Sequence, residues 1–570
     1  MLSRVSLLAI AAMVAANAIA FGVDAQSIDR SRVAPSVDQP SLLGRYLAGR
    51  EAWREGDRAG VRMLTEAALA APDQAGVREQ AFGAALLSGD IPAAAKLAPD
   101  APGTPDQLRD VGRIVRIVEA LAQDHGAEAK GLLAEPASPS ARMAVRLLRP
   151  FVEAAAGDWK AATSVHDSQG DRLAEVLGSA ARAQLLERHG LNTEAEMLYR
   201  TLAQDSAASA LFVTPYADFL ERRGRWADAV ALYDEALKRS AGDPVLATAR
   251  LRATRRAAPP PAPDIRRGAG QALSYAAVAM AGQRATESAL IYARLALRLD
   301  PTLDQSWVFA GDALAVQHNE TEARAAWANV RPGSPFFLEA RTRVAYSLQR
   351  SGDGSGALRI MDEVLAAAPD NFALLYVQAD LQRADSRYAD ASNTLDRVVA
   401  AGGDQDWHVL YSRALVRDRL GRWPEAEADA RKALALAPDE PELLNYLGYN
   451  LVDRGENLKD GLTMVERAAV ARPRSGAMQD SLGWAHYRMG DFGKAVDLLE
   501  GAVSLEAADP SINDHLGDAY WMVGRRDEAT YQWRRVLSLT PEAELKTAAE
   551  AKLAHGLGSK SAAGGAATPR

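Results

Sequence analysis

Residues 510–541 read PSINDHLGDAYWMVGRRDEATYQWRRVLSLTP. Gly524 can take positive φ and so end a first helix, while Pro541 lacks the N–H that a second helix needs in order to continue. A small residue, Ala529, lies where the paired helices must approach closely. The stretch therefore reads as one antiparallel helical hairpin, and its marks recur upstream. Ala289, Ala323, Ala357, Ala391, Ala426, Gly461, Ala495 and Ala529 follow one another at steps of 34, 34, 34, 35, 35, 34 and 34. Pro301, Pro369, Pro438, Pro473 and Pro541 each lie twelve residues beyond the matching small residue. Gly352, Gly421, Gly455, Gly490 and Gly524 precede theirs by five or six. A fixed period in this range is the signature of a repeat architecture built from stacked supersecondary units.

Leu516-Gly517, Tyr520, Gly524, Ala529, Trp533 and Pro541 resemble the signature of the tetratricopeptide repeat family. Trp307, Gly311, Ala323 and Trp327 form a second good copy, and Leu482-Gly483, Gly490 and Ala495 a third. Departures are Leu314 in place of tyrosine, Gly461 in place of alanine, and one extra residue near Glu456-Asn457. The resemblance implies an all-α fold, a right-handed superhelix or α-solenoid of antiparallel helix pairs. Residues 269–540 would form about eight repeats, closed by a capping helix over 541–555, with Thr540 as its N-cap and Leu545, Ala549 and Leu553 on its packed face.

Upstream the marks are sparser. Gly190, Ala195 and Tyr199 recur 34 residues on as Gly224, Ala229 and Tyr233. Gly157-Asp158-Trp159 with Ala162 precedes them, and Gly56-Asp57 and Gly89-Asp90 are 33 apart. Residues 41–257 are expected to be a degenerate array of similar helix pairs. Between the two arrays, Ala257-Ala258-Pro259-Pro260-Pro261-Ala262-Pro263-Asp264 favours extended polyproline II, and 258–268 is expected to be a linker.

Composition fits this reading. Of 570 residues, 48% are hydrophobic and only 6% aromatic, as expected of helices packed through small side chains. With 74 acidic against 66 basic residues there is no global pull toward nucleic acid, and the absence of cysteine excludes disulfides, thiolate zinc sites and cysteine nucleophiles. The first 26 residues carry Arg4, an uncharged run from Leu7 to Ala20, and Val23-Asp24-Ala25, the pattern of a signal peptide cleaved near residue 25. A flexible linker over 26–40 and a disordered tail over 556–570 would flank the folded part. The body is expected in the periplasm, membrane-peripheral at most, and not a lipoprotein.

The family resemblance also implies a groove lined by the first helix of each pair. Carried onto the matching copies, its groove positions fall on Asn445, Tyr449 and Asp453, on Asp480, Trp484, Tyr487 and Arg488, and on Asp514, Asp518 and Trp521, with His408 and Tyr411 from a weaker copy. Residues 269–555 hold 41 acidic and 31 basic residues, so such a groove would favour extended protein or peptide segments bearing lysine or arginine. The alternative ligand is an envelope polysaccharide stacked on Trp484 and Trp521. The eight histidines are dispersed, with no metal-binding spacing, so His486 and His515 read as helix-surface residues. No catalytic residue, metal or cofactor is expected, and the function implied is a non-enzymatic interaction scaffold for envelope assembly, transport or secretion.

Overall fold

The computed structural model describes residues 41–557 except 101–103, 136–137, 139–140, 166–170, 206–208, 241 and 283–285. The expected signal peptide (1–25), the linker (26–40) and the tail from residue 558 onward lie outside the described residues. Every regular element among the described residues is helical, and none is long and apolar enough to cross a membrane. The chain divides into two compact units, 1–347 and 348–570.

The second unit continues from the helix Gly354–Ala367 through five hairpins. They pair Phe372–Ala384 with Tyr388–Ala400, Trp407–Arg419 with Trp423–Leu436, Pro441–Arg454 with Leu458–Ala471, Gly476–Arg488 with Phe492–Leu505, and Pro510–Met522 with Arg526–Ser538. Helix Ala543–His555 closes the unit. The periodic marks act as their chemistry requires. Gly421, Gly455, Gly490 and Gly524 all have positive φ where a first helix ends. Ala391, Ala426, Ala495 and Ala529 are fully buried between paired helices. Gly517 is confined by its partner helix, because an added Cβ would lie 2.6 Å from Nε1 of Trp533. Aspartates in the turns cap several helices; Asp509, for example, accepts from the backbone N–H groups of Ser511 and Ile512. The extra residue near 456 is absorbed by Asn457, whose φ of +46° fits a tight left-handed turn.

The first unit begins with the hairpin of Leu42–Arg54 and Ala59–Ala70, and helix pairs continue without interruption by strand to Pro244–Thr254. The regular elements of 41–257 are thus all helices, each packed against its neighbours along the chain. The region around the prolines departs from the expected linker between two arrays. The chain division lies at 347/348, and the proline stretch lies inside the first unit. Beyond it, the hairpin of Ile265–Gly282 and Thr286–Leu299 turns back onto the first helices of earlier pairs. Ile265–Gly282 packs on Arg142–Ala155 and Arg172–Arg188, and Thr286–Leu299 on Asp106–Ala122 and Ala75–Ser88. Ala269, Leu273 and Ala296 are thereby fully buried in one core with Phe82, Val115 and Leu148. Burial of this continuous apolar surface outweighs the conformational freedom that the proline stretch gives up. The face that a repeat array leaves open for a ligand is filled, over these pairs, by the chain itself.

The closing helix also begins differently from expectation. It starts at Ala543 with Glu542 at its N-cap, and Thr540 has φ +57°. Pro541 therefore stands before the helix, and Thr540 forms the preceding turn. Ala549 is fully buried, Leu545 and Leu553 are half-buried, and Glu544, Lys546 and Glu550 are exposed.

Candidate partner-binding face

The first helices of the second unit carry every side chain assigned to the groove by resemblance. The structure sorts these residues into a group engaged by the last helices and a half-exposed group nearer the start of the unit. Asp480 is buried, and both its oxygens receive Nδ1 of His515, at 2.9 and 3.0 Å. Asp453 accepts Nε1 of Trp484 at 3.0 Å, and Arg488 binds its backbone carbonyl. Lys552 of the closing helix donates to Asp514 at 2.7 Å and to Asp518 at 2.8 Å. Asp518 also accepts Nε1 of Trp533 at 3.0 Å. Burial pushes Asp518 up to about 6 against the pull of Lys552, while Lys552, despite its burial, is held above the ordinary lysine value by the two carboxylates. Asp480, Asp514 and Asp518 are therefore internal acceptors, whereas Asp453 keeps 40% of its side chain exposed. The family register implies an open acidic lining, but buried charge of this kind requires a partner, and the fold supplies one in each case.

The tryptophans are similarly engaged. Trp484 stacks on Tyr487 at 4.6 Å and on His515 at 4.2 Å, both nearly parallel, so its ring is engaged within the fold. Tyr487 itself is buried. The Arg526 guanidinium lies 3.7 Å over Trp521, whose other neighbours are Trp533 at 5.3 Å and Gly556. Glycan stacking needs a free ring face, and on both indoles the neighbouring rings or guanidinium of the chain compete for it. His486 and His515, expected at helix surfaces, are both buried; burial lowers the pKa of His486, and its Nδ1 lies 3.5 Å from Asp491.

The remaining group lies nearer the start of the unit, with the Tyr449 ring 6.4 Å from that of His515. Tyr411, Asn445 and Tyr449 are half-buried and His408 is exposed, stacked on Trp407 at 3.7 Å. Tyr411 meets the edge of Tyr446 at 5.4 Å. Oδ1 of Asn445 is buried and accepts no hydrogen bond from any described residue. Tyr376, half-buried and 35 residues before Tyr411, joins them, its hydroxyl 2.9 Å from Oγ of Ser412. Sequence reasoning misses Tyr376, although the repeat step from Tyr411 points straight to it. The resulting strip is aromatic and amide-bearing, with its nearby acids already paired: Asp418 with Arg454 and Asp380 with Arg383.

The first unit contains a second series that sequence reasoning misses. Glu119, Glu153, Glu187 and Glu221 are spaced by 34 and all are buried. Arg222 donates to Glu187 at 2.8 and 2.9 Å, and Arg252 to Glu221. Tyr199 and Tyr233 add their hydroxyls to Glu187 and Glu221. Lys130 pairs with Glu153 at 2.7 Å, and Arg298 of the returning hairpin pairs with Glu119. These residues are structural ion pairs between successive helices. Among the described residues no cluster of histidine and carboxylate has the geometry to hold a metal.

Residues 180–244 and 348–414 each match a tetratricopeptide repeat family model. A TPR repeat-containing protein of Pseudomonas aeruginosa is 27% identical over 203 residues, which cover 35% of this chain and 34% of that protein, so the chain spans about a third of its relative's length. Among solved structures, the APC/C hetero-tetramer Cut9-Hcn1 aligns over 87% of this chain and 98% of its own, with 15% identity and a TM-score of 0.38. A tetratricopeptide repeat protein from Parabacteroides merdae aligns over 43% and 97%, with 16% identity and a TM-score of 0.37. The two matched segments, 180–244 and 348–414, thus carry tetratricopeptide repeats, one in each compact unit of the chain.

Proposed function

We propose that the chain is a non-enzymatic scaffold that binds an extended protein segment across the first helices of its second unit, along Tyr376, Tyr411, Asn445 and Tyr449. Tetratricopeptide arrays serve in general as protein-interaction surfaces, because a long shallow face makes many modest contacts. The observation that carries this placement is the buried Oδ1 of Asn445, served by no donor among the described residues and set among half-exposed tyrosines. A buried acceptor without a donor is costly, and an amide N–H of a bound segment would satisfy it. The tyrosines supply rigid contact area at low entropic cost. Because the neighbouring carboxylates are internally paired, recognition rests on main-chain and apolar contact more than on basic side chains. For the glycan reading, the chain's own side chains compete for both stacking platforms.

We place this activity in the periplasm on the strength of the N-terminal sequence, where Arg4, the apolar run and Val23-Asp24-Ala25 form an export signal. Fusion of residues 1–40 to a reporter that is active only outside the cytoplasm tests the location; an inactive, cytoplasmic reporter removes it. The binding reading is tested by photo-crosslinking in cells from position 449, with exposed Lys494 on a second helix as control. Protein adducts specific to 449 and abolished by Asn445→Ala support it. Adducts equal at both positions, or none at 449, would defeat it.

A further inference from the structure

The proline stretch is an ordered, outward-facing element. At its start Arg256 has φ +50°, with its N–H on the carbonyl of Ala253 and the N–H of Ala257 on that of Arg252 at 3.1 Å, which closes the helix Pro244–Thr254. Most helix ends of this chain place glycine at such a position; arginine there costs on the order of 1 kcal/mol and keeps a charge at the mouth of the stretch. At its far end Asp264 accepts the N–H of Arg267 at 2.8 Å and opens the helix Ile265–Gly282. In the middle, Nη1 of Arg222 donates to the carbonyl of Pro260 at 3.0 Å, while the rest of that guanidinium holds Glu187.

Residues 254–258 are all exposed, and from Ala258 onward exposure has a period of three: Ala258, Pro261 and Asp264 are exposed, whereas Pro259, Pro260, Ala262 and Pro263 are half-buried. Three residues per turn is the period of polyproline II, so Ala258, Pro261 and Asp264 form one outward ridge, with Arg255 and Arg256 exposed at its start. Arg255 and Arg256 are exposed and make no ion pair with any described residue. A short proline ridge with its backbone fixed at both ends and at its centre has already lost the freedom that a flexible ligand gives up on binding.

We propose that residues 255–264 are a ligand in their own right: a preorganised polyproline ridge, led by Arg255 and Arg256, that docks into an aromatic-lined groove flanked by acidic residues on a partner protein. Proline ridges are read by such grooves, and the two unpaired guanidiniums fix the sign of the groove's flank. This surface is separate from the tyrosine strip of the second unit, and here the chain is bound rather than binding.

The test uses the full chain and, as probe, an SH3 domain with an acidic loop beside its aromatic groove, with affinity measured by calorimetry. Binding is expected, weakened at least tenfold by R255E/R256E and at least tenfold by replacing Pro259, Pro260 and Pro261 with glycine. It should also weaken as salt rises. The arginine variant changes only exposed side chains, and its circular dichroism should match the parent. Tyr449→Ala should leave this affinity unchanged. Absence of binding by the parent chain overturns the proposal, and so does binding that R255E/R256E leaves intact.

Discussion

Arg298 meets Glu119 across 179 residues of chain, with Nε 2.7 Å from one carboxylate oxygen and Nη2 2.9 Å from the other. Glu119 is the first rung of the buried glutamate series, whose last two rungs, Glu187 and Glu221, receive arginines from the next helix pair. At Glu119 the cation arrives instead from the returning hairpin. Hydrogen bonding by Arg298 lowers the Glu119 pKa despite burial, with Gln123 assisting. The contribution of this pair to stability is complete above the ordinary glutamate range and is lost as pH falls through the lowered value. Arg298→Ala strands a buried carboxylate, an effect of about 2–3 kcal/mol once the partial exposure of Arg298 is allowed for. Urea denaturation at pH 7 should show that loss, and the parent and variant curves should converge in strong acid.

The helical hairpins, their glycine stops and their alanine contacts were legible in the sequence because each is imposed locally: positive φ, a missing N–H, a close helix approach. The same 34-residue step would have exposed the Glu119, Glu153, Glu187 and Glu221 series, since only buried and paired glutamates gain from such regularity. The returning hairpin was not legible. Nothing local to Arg298 states which of several glutamates it will meet, and a run of prolines reads equally as hinge or fixed loop. The candidate face was half legible. Register placed Tyr411, Asn445 and Tyr449 on the first helices, but whether an aspartate there meets a ligand or the chain's own His515 or Lys552 depends on the next helix pair.

Glu287 offers a test with the opposite pH sign. Its Oε1 is buried and accepts no hydrogen bond from any described residue, and burial pushes the carboxyl up to about 7. The folded protein then holds a proton there that the unfolded chain has released, so stability is full below the ordinary glutamate value and falls as pH rises through about 7. Glu287→Gln should leave the melting temperature at pH 5 nearly unchanged and raise stability at pH 8 by about 1–2 kcal/mol after allowance for partial exposure. Equal stabilisation at both pH values would mean that the carboxyl is ionised throughout.

Gly517 tests the close helix approach. A Cβ there would lie 2.6 Å from Nε1 and 2.7 Å from Cδ1 of Trp533, a fully buried indole that donates to Asp518. Gly517→Ala gains helix propensity but must move that ring, so a net loss of about 1–3 kcal/mol is expected. The chain's ten tryptophans share the emission, so the lower urea midpoint, followed by far-ultraviolet circular dichroism, is the readout. A stability gain would show that the hairpin tolerates wider spacing.

Lys552 closes the last hairpin by neutralising Asp514 and Asp518, both nine-tenths buried, and a variant lacking its ammonium isolates that role. Burial already holds Asp518 at about 6 with the lysine present, so Lys552→Met should move it higher still. For a carboxyl raised in the folded state, stability is present in acid and lost as pH rises through the folded value. At pH 5 the carboxyl carries its proton, and the closing helix should stay docked through Ala549 and Leu553. At pH 8 the Asp518 carboxylate is ionised beneath it without its ammonium partner, which costs about 3 kcal/mol. Hydrogen exchange over residues 543–555 should therefore remain slow at pH 5 in the variant. At pH 8 it should accelerate, beyond the intrinsic pH effect, by roughly two orders of magnitude relative to the parent. An acceleration of the same size at both pH values would show that the helix is anchored by the lysine's methylene stem alone.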